Sequence, residues 1–143
     1  MTDPQVSPHS RWIAYVSAET GKENVFVRPF PDVNKGKWQI SAGGSAGPFW
    51  AHSGRELFYV NANHDVVDMS LRTTPSFSPG AARVLFHLDP AQYLIPDWCC
   101  QWDIAPDDQR FLMARGVGSG RNADQRIILV QNWLEELKGQ VSR

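Results

Sequence analysis

The sequence predicts an all-β protein in which a unit of four short antiparallel strands occurs about three times. Short apolar segments alternate with a period near two, turn-forming residues separate them at close intervals, and three stretches of the chain align with one another. The 143 residues include 10 prolines and 11 glycines, which indicates many turns. The strands are therefore expected to be short and joined by tight connections.

The repeat is clearest at three turn-forming segments, each followed at once by an apolar run. Residues 7–16 align with residues 51–60, and a third copy begins at residue 105. Proline, serine, glycine and aspartate at the turn positions set or tolerate tight-turn dihedral angles. Each copy therefore predicts a strand, a tight turn and a second strand. The identical pairs in the first two copies are Arg11 and Arg55, Tyr15 and Tyr59, and Val16 and Val60.

The first unit covers about residues 4–41 and the second about residues 47–88. Between them, the glycine-rich segment 43–47 is predicted to be a flexible connection. Polar turns at 19–23 and 61–65 separate apolar runs that alternate with a period near two. The strands predicted in these two units are one that precedes the turn at residue 7, followed by 11–18, 24–28, 37–41, 48–51, 56–61, 66–72 and 83–88.

The third unit covers about residues 99–131 and is incomplete. Its predicted strands are 100–105, 110–115 and 126–130. The segment that follows has apolar residues at helical spacing, with Asn132 as a possible N-cap and Gly139 after its last turn. A short C-terminal helix is therefore predicted over 132–138.

Four antiparallel strands repeated every 40 to 50 residues or so are typical of β-propeller blades. The chain also resembles the WD40-like repeats of the TolB type, whose blades carry a Ser-Pro-Asp-Gly turn followed by an apolar strand. No turn here has the complete motif, and His9 and His52 stand where the family prefers aspartate or proline. The resemblance implies a propeller fold. The matching segments are residues 7–10, 12–15, 48–59 and 105–112.

The segment 132–137 resembles the end of a bacterial subgroup in which such repeats follow a serine/threonine kinase domain or a transcription-regulator domain. The match covers the repeats and not those domains, so it implies no kinase or regulator activity for these residues. We expect a non-catalytic module that binds a protein or a small ligand, because the sequence offers no convincing catalytic constellation.

Three units are too few for a closed ring, since propellers close with about 4 to 8 blades. We therefore expect two chains to pair about a two-fold axis into a six-bladed ring that serves as a binding or scaffold module. The alternatives are a different propeller-containing chain as the partner, or a larger propeller of which this chain is a detached C-terminal piece. The apolar residues expected at the interface are Val6, Trp12, Ile13, Val25, Phe111, Ile127, Leu129 and Trp133.

Composition and charge argue against several function classes. Lysine and arginine number 14 against 15 acidic residues, and both signs are scattered, so no basic stripe predicts a nucleic-acid partner. No apolar run approaches the roughly 18 residues of a membrane span. The N-terminus lacks the basic and apolar regions of a signal peptide. We expect no membrane insertion and a cytoplasmic location, unless the chain is part of a longer exported protein.

Ser45 is the candidate nucleophile, because residues 43–47 match the G-x-S-x-G elbow of hydrolases. That motif needs a strand before the serine and a helix after it, whereas the segment 48–50 reads as a strand. A small hydrolase using Ser45 is therefore the less favoured alternative. The four histidines lack the close spacing of metal ligands, so we expect neither a metal nor a cofactor.

Ligand contacts are expected at turns and loops, because these are the parts of a rigid scaffold that usually carry binding residues. His9, His52 and Asp107 lie on predicted turns. Trp98 and Trp102 border the loop after the second unit and offer aromatic surface. These five residues are the predicted ligand-facing set.

Overall fold

The computed structural model of the protein describes residues 1–93, 102–115 and 126–130. These residues form three antiparallel sheets that follow one another along the chain. Apart from a short 3₁₀ turn at Val33–Lys35, the regular structure in these ranges is β-strand. The predicted all-β class is confirmed. The predicted helix 132–138, with Trp133, lies outside the described residues.

The first sheet has its strands in chain order, β1-β2-β3-β4. The hairpin of β2 and β3 pairs without a shift in register over six residues of each strand. Its turn is fixed by the Asn24 amide, which donates to the Thr20 hydroxyl over 2.9 Å. The strands are β1 Thr2–Val6, β2 Trp12–Ser17, β3 Asn24–Pro29 and β4 Trp38–Gln39.

The second sheet is also in chain order, β5-β6-β7-β8. Its first strand begins at Ser45, so the segment 43–47 is not merely a connection, as predicted, but enters the sheet. The pairing of β5 with β6 shifts between Ala46 and Phe49, where Gly47 has a φ of 60° that favours glycine. The strands are β5 Ser45–Trp50, β6 Glu56–Asn61, β7 Asp65–Arg72 and β8 Ser78–His87.

The third sheet has the order β11-β10-β9 in the described residues. Phe111 pairs with Ile104 on one side and Val130 on the other, so β10 is the central strand. The strands are β9 Trp102–Ile104, β10 Phe111–Arg115 and β11 Arg126–Val130.

Two hydrophobic cores lie on opposite faces of the second sheet. Leu57 and Tyr59 on β6 belong to the core shared with the first sheet. Phe58 and Val60 alternate with them and belong to the core shared with the third sheet. Both faces of the strand are thus buried, which is why residues 57–60 form a continuous apolar run. The second sheet is therefore the middle layer of the described structure.

Two residues expected at a chain–chain interface lie inside these cores. Val25 is 0% exposed in the first core, and Phe111 is 0% exposed in the second. Trp12 is half-buried against the first core, where its ring contacts those of Trp38 and Phe77. The interface prediction is wrong for Val25 and Phe111, because neighbouring sheets of the same chain already cover them.

The outer face of the first sheet is covered by cationic side chains. Tyr15 and Phe26 stack there with ring centroids 5.8 Å apart, yet each is 2% exposed. Arg28 donates from Nε to the Tyr15 hydroxyl over 2.9 Å, and the Lys37 ammonium lies 5.4 Å from the Phe26 ring centroid. This face is therefore not the bare apolar surface expected from sequence.

Of the other interface residues, Val6 is 43% exposed and Ile13 is half-buried, whereas the side chains of Ile127 and Leu129 are outside the description.

Candidate functional site

One turn geometry joins the first two strands of each sheet. In every copy the fourth residue of the turn donates its backbone N–H to the carbonyl oxygen of the first residue, over 2.8 to 2.9 Å. The fourth residues are Ser10, Gly54 and Asp108, with φ values of 53°, 67° and 56°. Glycine and aspartate tolerate this left-handed conformation better than most residues. The three turns aligned in the sequence thus have equivalent backbones.

The second and third turns are joined by a carboxylate. Asp108 Oδ1 accepts a hydrogen bond from the backbone N–H of His52 over 2.7 Å and lies 2.8 Å from His52 Nδ1. Its Oδ2 accepts from the backbone N–H of Ser53 over 3.0 Å. The Asp108 side chain is 18% exposed. An aspartate at the fourth position of one turn therefore binds the second and third residues of the turn before it.

The first and second turns lack such a carboxylate, because the counterpart of Asp108 is Gly54. A β-carbon added to Gly54 would lie 3.1 Å from His9 Cδ2, so the two turns are close neighbours. Between them opens a groove of about 550 Å³, which we call the turn groove. The turn groove is lined by Ser7, His9, Arg11, Trp12, Ser53, Gly54, Arg55, Thr73 and Thr74.

The turn groove is cationic. Arg11 and Arg55 occupy the same position in their respective turns, and both line it together with His9. None of its described lining residues carries a carboxylate. Within the described part of the chain, neither arginine forms an ion pair. Unpaired guanidinium groups with hydroxyl-bearing neighbours are suited to binding an anion.

The predicted ligand-facing residues have different surroundings in the structure. His9 lines the turn groove, whereas the ring of His52 is held by Asp108. Asp107 supports its own turn, because its carboxylate accepts from the backbone N–H of Gln109 over 3.0 Å and from Arg110 Nε over 3.0 Å. These bonds, the one from Gln109 foremost, lower the pKa of the Asp107 carboxyl.

Trp102, one of the two tryptophans predicted to face a ligand, does not line the turn groove. Trp102 is 5% exposed and stacks on Phe111 with ring centroids 5.7 Å apart, so that prediction is wrong: its side chain fills the second core. Trp98 lies outside the described residues. Sequence reasoning missed Arg11 and Arg55 as binding residues, although their identity in two aligned turns was the signal that could have found them.

Ser45 is not placed as a nucleophile. It begins strand β5 and is 6% exposed. Its hydroxyl donates to the carbonyl oxygen of Gly44 over 2.6 Å. A nucleophile elbow would instead follow a strand and present the serine on an exposed turn. The geometry therefore does not favour a hydrolase centred on Ser45.

Residues 1–93, 102–115 and 126–130 contain neither a cluster of metal-ligating side chains nor a long apolar helix. No group of three or more histidine, cysteine, aspartate or glutamate side chains there is placed to hold a metal ion. In the same ranges, no helix is long and apolar enough to cross a membrane.

Glu56 lies near the contact between the second and third turns and gives a testable pH effect. Burial raises the pKa of the Glu56 carboxyl above its ordinary value of 4.5, and the negative charges of Asp68 and Asp108 raise it further. The folded state therefore holds the Glu56 proton more tightly than the unfolded state. Ionised Glu56 consequently destabilises the fold above its folded pKa, and this cost disappears as the pH falls below 4.5.

We expect Glu56→Gln to raise the melting temperature at pH 7, because it removes this unfavourable charge. Below the ordinary glutamate pKa of 4.5 the variant and the parent should melt alike. Thermal unfolding followed by circular dichroism across this pH range measures the effect. Glu23→Gln, at an exposed turn position, is the control and should change little. A Glu56→Gln variant that melts lower at pH 7 would contradict the assignment.

The sequence matches no family model and no curated protein. Among solved structures, the described sheets are similar to oligogalacturonate lyase from Vibrio parahaemolyticus, with a TM-score of 0.58 and 14% identity. The similarity covers 77% of this chain and 27% of the lyase. The lyase is a β-propeller. The fold of this chain is of the β-propeller type.

The chain spans about a quarter of the length of the lyase, so it corresponds to a part of that propeller. A second similar structure is TolB from Acinetobacter baumannii, with a TM-score of 0.39 and 10% identity, covering 92% of this chain and 41% of TolB. At these identities the comparisons concern the fold, and neither protein's activity is transferred to this chain.

Proposed function

We propose that the chain is a non-catalytic binding module of the β-propeller type, whose three sheets are blades of a ring completed by a second copy. The observation that carries the binding role is the row of equivalent turns, in which His9 adjoins Gly54 and Asp108 bonds His52. Such a row presents loop surface from successive blades on one side of a rigid scaffold, where binding residues commonly lie. The unpaired arginines of the turn groove add charge to that surface.

Ring completion is supported by the way the third sheet uses its faces. Phe111 and Met113 on β10 point into the second core, while Leu112 and Ala114 alternate with them and are half-buried on the opposite face. A propeller blade normally packs both faces against neighbouring blades. A second copy of the chain related by a two-fold axis would place this face of the third sheet against the outer face of the partner's first sheet, where cationic side chains lie over two aromatic rings.

Light scattering during size-exclusion chromatography tests this assembly at micromolar concentration. We expect a mass of twice the 16.1 kDa of the chain. Leu112→Glu should convert the dimer to a monomer, because it places a charge on the face expected to meet the partner. Val84→Glu, at a position 55% exposed, is the matched control and should remain dimeric. A stable monomer of the parent chain would overturn pairing with itself and favour a different propeller chain or a larger propeller.

A further inference from the structure

We propose that the turn groove binds an acidic peptide segment, with Arg11 and Arg55 as the residues that hold its carboxylates. This inference rests on the proposed binding role and specifies the chemistry of the partner. The chain has two equivalent places between neighbouring turns, and they differ in their charged groups. One of them is filled by a carboxylate of the chain itself, whereas none of the described residues that line the other is acidic.

The filled place lies between the second and third turns. There the Asp108 carboxylate accepts from two backbone N–H groups, those of His52 and Ser53, over 2.7 and 3.0 Å. Asp108 belongs to a different sheet from the turn that it binds. A side-chain carboxylate from a neighbouring segment is therefore the group that the chain itself uses to bridge two adjacent turns.

The corresponding place between the first and second turns has no such group. Gly54 stands at the position of Asp108 and brings no side chain, while Pro8 stands at the position of His52 and has no N–H to donate. His9, at the position of Ser53, keeps its backbone N–H, and the cationic side chains of Arg11 and Arg55 line the groove beside it. The third turn has Gln109 at the position that Arg11 and Arg55 occupy in the first two turns. Two arginines at equivalent positions are therefore a feature of the two turns that line the turn groove.

The size and lining of the turn groove favour a peptide over a single small anion. A volume of about 550 Å³ exceeds what one carboxylate needs and falls within the range of pockets that hold drug-sized ligands. The groove offers two arginines, the Trp12 ring and the hydroxyl-bearing Thr73 and Thr74 along its lining. Two guanidinium groups can each bind one carboxylate in a bidentate manner, so a segment with two or more acidic side chains fits this charge pattern.

Isothermal titration calorimetry with the full chain tests the proposal. The probes are a terminally blocked hexapeptide with three glutamates, the same peptide with glutamines in their place, and free glutarate. We expect the glutamate peptide to bind, and the glutamine peptide and glutarate to bind at least tenfold more weakly. Equal binding of the glutamine peptide would overturn the carboxylate assignment. Glutarate binding as tightly as the peptide would overturn the peptide as the ligand in favour of a small carboxylate.

Three variants locate the site. Arg11→Gln and Arg55→Gln should each lower the affinity for the glutamate peptide at least tenfold. Lys22→Gln, on the turn between β2 and β3, is the control: it removes the same charge elsewhere and should leave the affinity unchanged. Gly54→Asp should also weaken binding, because it supplies the turn groove with a carboxylate of its own. Aspartate already adopts this backbone conformation at Asp108, with a φ of 56°, and the His9 ring at 3.1 Å is a side chain that can rotate away.

The outcomes separate this inference from the proposed function. Parent-like binding in both arginine variants would overturn the turn groove as the site. The mass of each variant is measured by light scattering in the same experiment. A chain that remains dimeric but binds no acidic peptide overturns the ligand alone, whereas a monomer that binds the peptide overturns the ring closure and leaves the groove assignment standing.

Discussion

Phe111→Ala is expected to lower the free energy of unfolding by about 3 to 5 kcal/mol, the usual cost of truncating a buried phenylalanine. The Phe111 side chain is fully buried at the centre of the second core. Its ring centroid lies 5.1 Å from that of Phe58, 5.6 Å from Phe86 and 5.7 Å from Trp102. Truncation would leave a cavity between the second and third sheets that these aromatic neighbours cannot fill without leaving their own contacts.

Urea denaturation measures this loss as a lower midpoint. Val84→Ala is the control, because Val84 is 55% exposed and its truncation should change stability by less than about 0.5 kcal/mol. The same experiment distinguishes a core residue from an interface residue. If Phe111 served the contact between two chains, Phe111→Ala would change the mass of the assembly and leave the stability of the monomer near that of the Val84→Ala control.

Asp108→Gly is expected to lower the free energy of unfolding by about 1.5 to 3 kcal/mol, the range for hydrogen bonds to a charged group. Glycine keeps the φ of 56° without strain, so the substitution removes the contact between the second and third turns and leaves the turn itself intact. The groups that lose their acceptor are the backbone N–H groups of His52 and Ser53.

Ser10→Gly is the matched control for Asp108→Gly. Ser10 occupies the same turn position with a φ of 53°, but in the described residues its side chain bridges to no other turn. Glycine should therefore be neutral or slightly stabilising there, since it relieves the left-handed conformation. Equal losses in the two glycine variants would contradict the role of the Asp108 carboxylate, because the effect would then arise from the turn backbone alone.

The repeat and its turns were accessible from sequence because they are local. The alignment of residues 7–10 with 51–54 and 105–108 places Ser10, Gly54 and Asp108 in one position, and all three adopt positive φ. Turn chemistry depends on a few neighbouring residues, and strand pattern on a period of two. The strands 56–61 and 126–130 were accordingly predicted with the bounds that they have in the structure.

The candidate site was predicted only in part. His9 was placed on a binding turn, and it lines the turn groove. The binding potential of Arg11 and Arg55 was missed, because two turns 44 positions apart in the sequence become neighbours only when the first and second sheets pack together. For the same reason nothing in the sequence showed that Asp108 fills one gap between turns and that Gly54 leaves the other open.

The sequence by itself determined the fold class, the turns and nearly all of the strand positions of this protein. The tertiary structure decided which face of each strand is covered. In the run Val25, Phe26 and Val27, period two separates two faces but does not tell which one meets another sheet. Packing placed Val25 and Val27 in the first core and left Phe26 to be covered by Lys37. Burial is a property of the neighbours that a side chain meets, and those neighbours come from distant parts of the chain.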